Sequence, residues 1–260
     1  MDIERFKTQN GYEIQGAWLP RVTSIIGVIS KPGLLRYYAN HSNFMVAQNT
    51  LNNLASWGTL THQAVEKFLK GEKYRADEKI LPSLGAFRDW QSKNIVRIFD
   101  PQNDVEKTIF DLDNSYAGTL DIVAEVNGVL GVLDIKTGSG IWDEYGLQLA
   151  AYMNAYNKSA PKKKQAKARW ILRLDQFEEC SICKAKRRIK SGKAKITGGK
   201  KDCVHQFSQI RGVFQFKELK GFRHDVEAFL SAKKLWEWCN RNVLKEIENY
   251  PNNNGNHTLF

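Results

Sequence analysis

No stretch of the 260-residue chain holds 18 apolar residues in a row, which excludes a transmembrane helix. The opening MDIERFKTQN has no apolar core of a signal peptide and sets two acids against two bases. Neither secretory nor mitochondrial targeting is expected from it, and the expectation is a cytoplasmic protein. Internal repeats are absent, and no second domain stands out. Cysteine is scarce: four residues, every one after Tyr152. General basicity is also missing, despite a net charge of +11. Fifteen Lys/Arg against three Asp/Glu fall between residues 161 and 201, a balance of +12, so the remainder sums to about −1. What is present is enough apolar residue, 42%, to build one sizeable core.

The most informative stretch is YAGTLDIVAEVNGVLGVLDIKTGSGIWDEYGLQLAAYMNAY, Tyr116 to Tyr156, which reads as a hairpin followed by a helix. Asn127-Gly128 between apolar runs is the signature of a two-residue type I′ turn. That turn sets a register in which Val126 faces Val129, Ala124 faces Gly131 and Asp121 faces Asp134. Directly opposed residues have Cβ atoms about 5 Å apart, so two carboxylates there repel. A divalent cation between them removes the penalty, and oxygen ligands suit Mg²⁺ or Mn²⁺. Alternation along the strand puts Lys136 on the face of Asp134. Such a site suits phosphodiester hydrolysis. The metal polarises a phosphoryl oxygen and lowers the pKa of a bound water. The lysine orients the water or stabilises charge developing at phosphorus. The alternative is two surface aspartates and a solvated lysine. The Val, Leu and Ile flanks argue against an exposed strand, and a buried D-I-K opposite an Asp is costly without a function.

G-T-L-D (Gly118–Asp121), L-D-I-K-T-G (Leu133–Gly138) and Q-L-A-A-Y (Gln148–Tyr152) together resemble the PD-(D/E)xK nuclease superfamily, in its RecB-like exonuclease branch. That branch includes CRISPR adaptation nucleases, the nuclease domains of RecB and AddB, and mitochondrial genome-maintenance and phage-type exonucleases. The resemblance is strong from Tyr116 to Tyr156 and looser over Leu19 to Leu230. It implies an α/β restriction-endonuclease-like core, a mixed central sheet flanked by helices. It implies a bacterial or phage-encoded deoxyribonuclease acting on single-stranded DNA or free DNA ends. Recombination, repair, helicase or replication proteins are the implied partners.

The resemblance also assigns residues. Asp121, Asp134 and the Ile135 carbonyl would hold Mg²⁺ or Mn²⁺, with Lys136 catalytic. His62, in GTLTHQAVEKFL, matches the family histidine that ligates the metal in many members; the alternative is a helix-surface histidine. Glu106 matches an accessory glutamate near the site, against a solvent-facing strand residue. Gln148 and Tyr152, four apart on one helix face, match the pair that meets the metal site and the DNA backbone, against ordinary helix packing. PRVTSII (Pro20–Ile26) resembles a segment near the start of the mitochondrial and phage-type exonucleases; the alternative is that its Thr23 or Ser24 simply caps a helix.

Beside the nuclease signature lies the basic segment, PKKKQAKARW plus KAKRRIKSGKAKITGGKK, interrupted by the strand-like WILRLDQF. Phosphate binding is the expected role, against a solvated loop or a membrane-surface segment, for which no amphipathic apolar face exists. Within it Cys180, Cys183, Cys203 and His205 form C-x2-C-x19-C-x-H, the ligand set of a structural zinc site. Free thiols in a reducing cytosol and an iron–sulfur cluster compete with zinc. The cluster of some RecB-like members takes one Cys before the core and three after, a pattern this chain lacks. Cys239, on an amphipathic helix, is expected to be packed.

The expected organisation is a mainly helical part over residues 1–100, the nuclease core over 101–250 with a Cys/His ribbon inserted at about 178–210, and a disordered tail over 251–260. Helices are expected at 22–29, 32–40, 44–55, 60–70, 81–98, 145–157 and 225–248, the last ended by Pro251. Its Phe229, Trp236 and Leu244 are placed on the inner side. Strands are expected at 105–111, 118–126, 129–136, 169–177 and 213–218, the last two bracketing the insertion as an extended hairpin. Three function classes stay open: a metal-dependent DNA exonuclease, a restriction-type endonuclease on the same core, and a non-catalytic nucleic-acid-binding protein with a zinc ribbon.

Overall fold

A computed structural model describes residues 2–190 and 194–251 of the chain. The expected disordered tail, Pro251 apart, lies outside the described residues. The chain starts with α1 (Ile3–Asn10), the hairpin β1 (Gly11–Ile14) and β2 (Ala17–Pro20), α2 (Val22–Ile25), α3 (Pro32–Ala39), α4 (Phe44–Leu69) and α5 (Leu81–Ser92). Then come β3 (Val96–Arg97), α6 (Pro101–Asp104), β4 (Val105–Asp111), β5 (Tyr116–Val126), β6 (Val129–Lys136) and α7 (Glu144–Ser159). The last part is β7 (Ala168–Glu179), β8 (Lys186–Arg188), β9 (Lys195–Thr197), β10 (Arg211–Glu218) and α8 (Phe222–Leu244).

The expected mixed sheet is present. β5 pairs antiparallel with β4, β3 and β6, while β6 pairs parallel with β7 through the α7 crossover. β10 returns antiparallel to β7, and β8 and β9 continue the sheet from the end of β7 as the arm of the Cys/His insertion. Asn127 and Gly128 both have positive φ, 51° and 83°, as a type I′ turn requires. The register follows from it: Val126 pairs Val129 and Ala124 pairs Gly131.

Strand alternation, with a change of face between Leu120 and Ile122 on β5, divides the apolar residues between two cores. Tyr116, Leu120, Val132 and Ile171 face α2, α7 and α8, where Leu149, Ala151 and Phe229 pack. Ile122, Leu133, Trp170 and Leu172 face α4 and α5, where Val65, Phe87 and Trp90 pack. Phe229, Trp236 and Leu244 are buried on the inner side of α8, as expected. Gly118 is needed for this packing, because a Cβ there would lie 2.6 Å from the Tyr152 ring.

Several expectations are corrected. Residues 44–55 and 60–70 belong to one helix, α4, whose N-terminus Asn43 caps by accepting from the Val46 amide. Gly58 does not break it: a glycine inside a helix costs only about 1 kcal/mol, and here it lies close to Thr137, whose hydroxyl would be 3.1 Å from a Cβ. α5 stops at Ser92, and Val96–Arg97 pairs with β5. α8 ends at Leu244, well before Pro251. The first hundred residues also hold a helix and a hairpin that the apolar pattern did not show. Gln15-Gly16, both at positive φ, makes the hairpin turn. Neither Thr23 nor Ser24 caps α2: its N-cap is Arg21, without a side-chain bond. Cys239 is exposed rather than packed. Among the described residues no helix is long and apolar enough to cross a membrane.

Candidate active site

The paired ladder of β5 and β6 ends at Ile122–Leu133, one pair short of the expected Asp121–Asp134. Beyond that point the Asp121 side chain takes over. Its Oδ2 accepts the Ile135 amide at 2.7 Å. Asp121 thus sits at a fork in the sheet, on the wall of a cleft of about 870 Å³ that also holds His62, Glu106, Asp134, Lys136, Gln148 and Tyr152. Every residue expected at the nuclease site is therefore brought to this cleft or, for Ile135, to its hydrogen-bonded edge.

Two groups can be distinguished within it. In the first, His62 of α4, Glu106 of β4 and Asp121 of β5 bring one ligand atom each within 4.8 Å of one another. His62 Nδ1 lies 3.4 Å from Asp121 Oδ2. Glu106 has a left-handed backbone, φ 53°, inside a strand. A non-glycine residue held there costs about 1–3 kcal/mol and marks sites where side-chain direction matters. Burial, and then the nearby Asp121 charge, raises the Glu106 carboxyl to about 7.

In the second group Asp134, fully buried, has Lys136 Nζ at 2.6 Å from Oδ2. That contact is a buried ion pair, and among the described residues no other group donates to Oδ2. Burial raises Asp134 to about 6, with Lys136 opposing and Asp121 reinforcing the shift. Lys136 is raised: burial pushes it down, but the Asp134 and Asp121 charges outweigh that. Its ammonium also donates to Gln148 Oε1 at 3.1 Å and lies over the Tyr145 ring. Gln148 Nε2 in turn donates to the Tyr152 hydroxyl at 3.1 Å. Tyr152 therefore reaches Lys136 only through Gln148, and burial keeps its phenol protonated.

A divalent cation fits this donor set. Four carboxylates line one cleft; Glu66 is paired with Lys70, and of the other three, two hold protons more tightly than usual, while buried Asp134 has Lys136 alone against its Oδ2. Both are costs that a cation would remove. Sequence reasoning missed Arg21 and Tyr12, which also line the cleft. Arg21 lies over the Tyr12 ring at 4.8 Å with its Nε buried and without a hydrogen bond. Their signal was the unread hairpin β1–β2, which delivers both residues.

The second cluster lies in the insertion. Cys180, Cys183, Cys203 and His205 bring their ligand atoms within 4.8 Å of one another. Cys180 Sγ is 3.9 Å from Cys203 Sγ, and Cys183 Sγ is 3.3 Å from His205 Nδ1. A tetrahedral ion with bonds of about 2.3 Å to sulfur and about 2.0 Å to nitrogen needs edges of roughly 3.5–3.8 Å, close to these. Burial pushes the Cys180 thiol up, but the Cys183, Ile182 and Gln206 amides outweigh it and hold it at about 6. The cluster is thus able to hold a metal ion.

The basic segment is less free than its charge suggests. Arg169 is buried, pairs with Asp225 at 2.9 Å and donates to the Gly146 and Lys220 carbonyls. Buried Asp175 takes Arg173, Arg188 and Lys190 at 2.8–3.0 Å, and Arg187 pairs with Glu178. Arg187, Arg188 and Lys190 thereby tie the insertion to β7, while Arg169 ties β7 to α7 and α8.

Comparison with curated proteins finds no match. A family model, that of the PD-(D/E)XK nuclease superfamily, matches residues 34–241. That span takes in α4, the forked hairpin, Lys136 and α7, the elements that build the cleft. Family and geometry agree on a metal-dependent nuclease, and the chain belongs to the PD-(D/E)XK nuclease superfamily.

Proposed function

We propose that the protein is a deoxyribonuclease of the RecB-like branch, an exonuclease acting on single-stranded DNA or free DNA ends. The observation that carries this reading is the Lys136–Gln148–Tyr152 chain, which joins the D-I-K strand to the Q-L-A-A-Y helix at hydrogen-bond distance. Asp121, Asp134, His62 and the Ile135 carbonyl would hold Mg²⁺ or Mn²⁺, with Glu106 as accessory ligand. The ion supplies a polarised phosphoryl oxygen and an acidic water. The chain's own residues do the rest. Lys136, charged and aimed by Gln148, stabilises negative charge building on the phosphate. Asp121 fixes the end of β6 through the Ile135 amide. The Cys/His cluster takes a structural zinc ion, since three thiolates and an imidazole form a closed tetrahedral set. The missing early cysteine argues against an iron–sulfur cluster.

Labelled linear single strands, linear duplexes and closed circles, each incubated with Mg²⁺ or Mn²⁺, test the reading. Linear single strands should be shortened from an end, and closed circles should survive. Cutting of closed circles would shift the assignment to a restriction-type endonuclease. Binding without cleavage of any substrate would leave a nucleic-acid-binding protein.

A further inference from the structure

A second cleft, of about 650 Å³, lies beside the catalytic one. Tyr37, Val46 and Leu54 of α3 and α4 line one wall; Arg188, Lys195 and Ile196 of β8 and β9 line the other. The loop after β6, Thr137–Ser139, also lines it. The two clefts share α4 as a wall, since Ala55, Gly58 and His62 line the catalytic cleft and Val46, Thr50 and Leu54 the second. They meet where Gly58 passes Thr137, whose hydroxyl would lie 3.1 Å from a Cβ at position 58.

We propose that this second cleft is a binding site for the single DNA strand that runs on from the catalytic site. The proposal rests on the nuclease reading and adds where the strand goes. Two kinds of surface face each other across the cleft. Three cations, Arg188, Lys190 and Lys195, stand against one carboxylate, Asp175, which leaves positive charge to meet phosphates. Beside them Val46, Leu54 and Ile196 stand 38%, 37% and 46% exposed, with Tyr37 near. A duplex hides the faces of its bases and offers such apolar walls nothing. A single strand offers bases to the apolar surface and phosphates to the cations at once. The walls are held in place relative to the chemistry. Lys190 donates to the Thr137 carbonyl at 2.8 Å and Arg173 to that of Gly138 at 3.2 Å, gripping the residues that follow Lys136.

The test is binding, with no divalent cation and no chelator added so that nothing is cut and the Cys/His ion stays in place, of fluorescent oligodeoxythymidylates of increasing length to the full chain and to a Lys195→Glu/Ile196→Asp variant. Both positions lie exposed on β9, so folding should survive. For the wild type, affinity should climb as oligomers grow long enough to leave the catalytic cleft. The variant should bind the shortest oligomers as the wild type does and lose tenfold or more on long ones, with a shallower salt dependence. Blunt duplexes should lose no such increment. Variant affinity within twofold of wild type at every length would overturn the proposal, as would equal losses on duplex and single strands. A wild type that binds in this way but never cleaves would sink the nuclease reading and leave this site standing.

Discussion

At the residue scale, the cleft separates holding an ion from acting on the phosphate. Asp121→Ala and Asp134→Ala should each abolish cleavage while DNA binding persists, because the basic residues of the insertion stand apart from the fork. Gel-shift and cleavage assays on the same preparations check both halves; full activity in either variant would remove the nuclease mechanism. Lys136→Ala should leave metal binding largely intact and lower kcat by about 10²–10⁴-fold, the range expected for one group acting on the transition state. A wild-type turnover in that variant would make the lysine structural. The meeting of Asp121, Asp134 and Lys136 in one cleft was legible because a single turn, Asn127-Gly128, fixes their register, whereas His62 and Gln148 came from the family resemblance. Arg21 was not, because a lone arginine before a short helix carries no periodic signal.

At the element scale, legibility followed local chemistry. β4, β5, β6 and α7 were readable from alternation, a strong turn and an i, i+4 pattern. The hairpin β1–β2 was hidden because Gln15-Gly16 is a poor match to the usual turn pairs, and its four-residue strands are too short to show a period. The continuity of α4 was hidden for a different reason: Gly58 reads as a breaker in sequence, although one glycine costs a long helix only about 1 kcal/mol. The insertion has few apolar residues to fold around, so its ligands should matter most there. Removing one, as in Cys183→Ser, should loosen β8 and β9 while the sheet stays folded. Elemental analysis should find about one zinc per wild-type chain and a loss in the variant, with DNA affinity reduced. Iron with visible absorbance would replace zinc by a cluster, and wild-type affinity and salt slope in the variant would cut the link from metal to DNA.

At the scale of the whole molecule, the catalytic cleft makes stability depend jointly on pH and metal. Glu106 and Asp134 are raised to about 7 and about 6, above the ordinary carboxylate range near 4. The metal-free folded state therefore binds protons more tightly than the unfolded chain. The stabilisation this gives is complete below about pH 4 and fades as pH rises through 6 and 7. A bound cation takes over from those protons, so its effect should grow over the same interval. Melting curves without added divalent metal and in excess Mn²⁺ from pH 5 to 8 should diverge as pH rises. A metal-induced shift that stays constant across that range would show that these carboxylates do not meet the ion.

The fork at Asp121 bears on how such a site can be lost over generations. One oxygen of this residue lies near His62 and also satisfies the Ile135 amide, so catalysis and architecture share an atom. Drift to alanine would strip the function and orphan a backbone donor in the same step. Drift to asparagine keeps an acceptor for that amide and gives up only the charge. Lineages that abandon cleavage but keep this fold should therefore pass through asparagine at 121, and a survey of inactive descendants rich in alanine there would contradict it. Asp134 satisfies no amide, but its loss would leave the Lys136 ammonium without its nearest counter-ion, so inactivation there should be accompanied by change at Lys136.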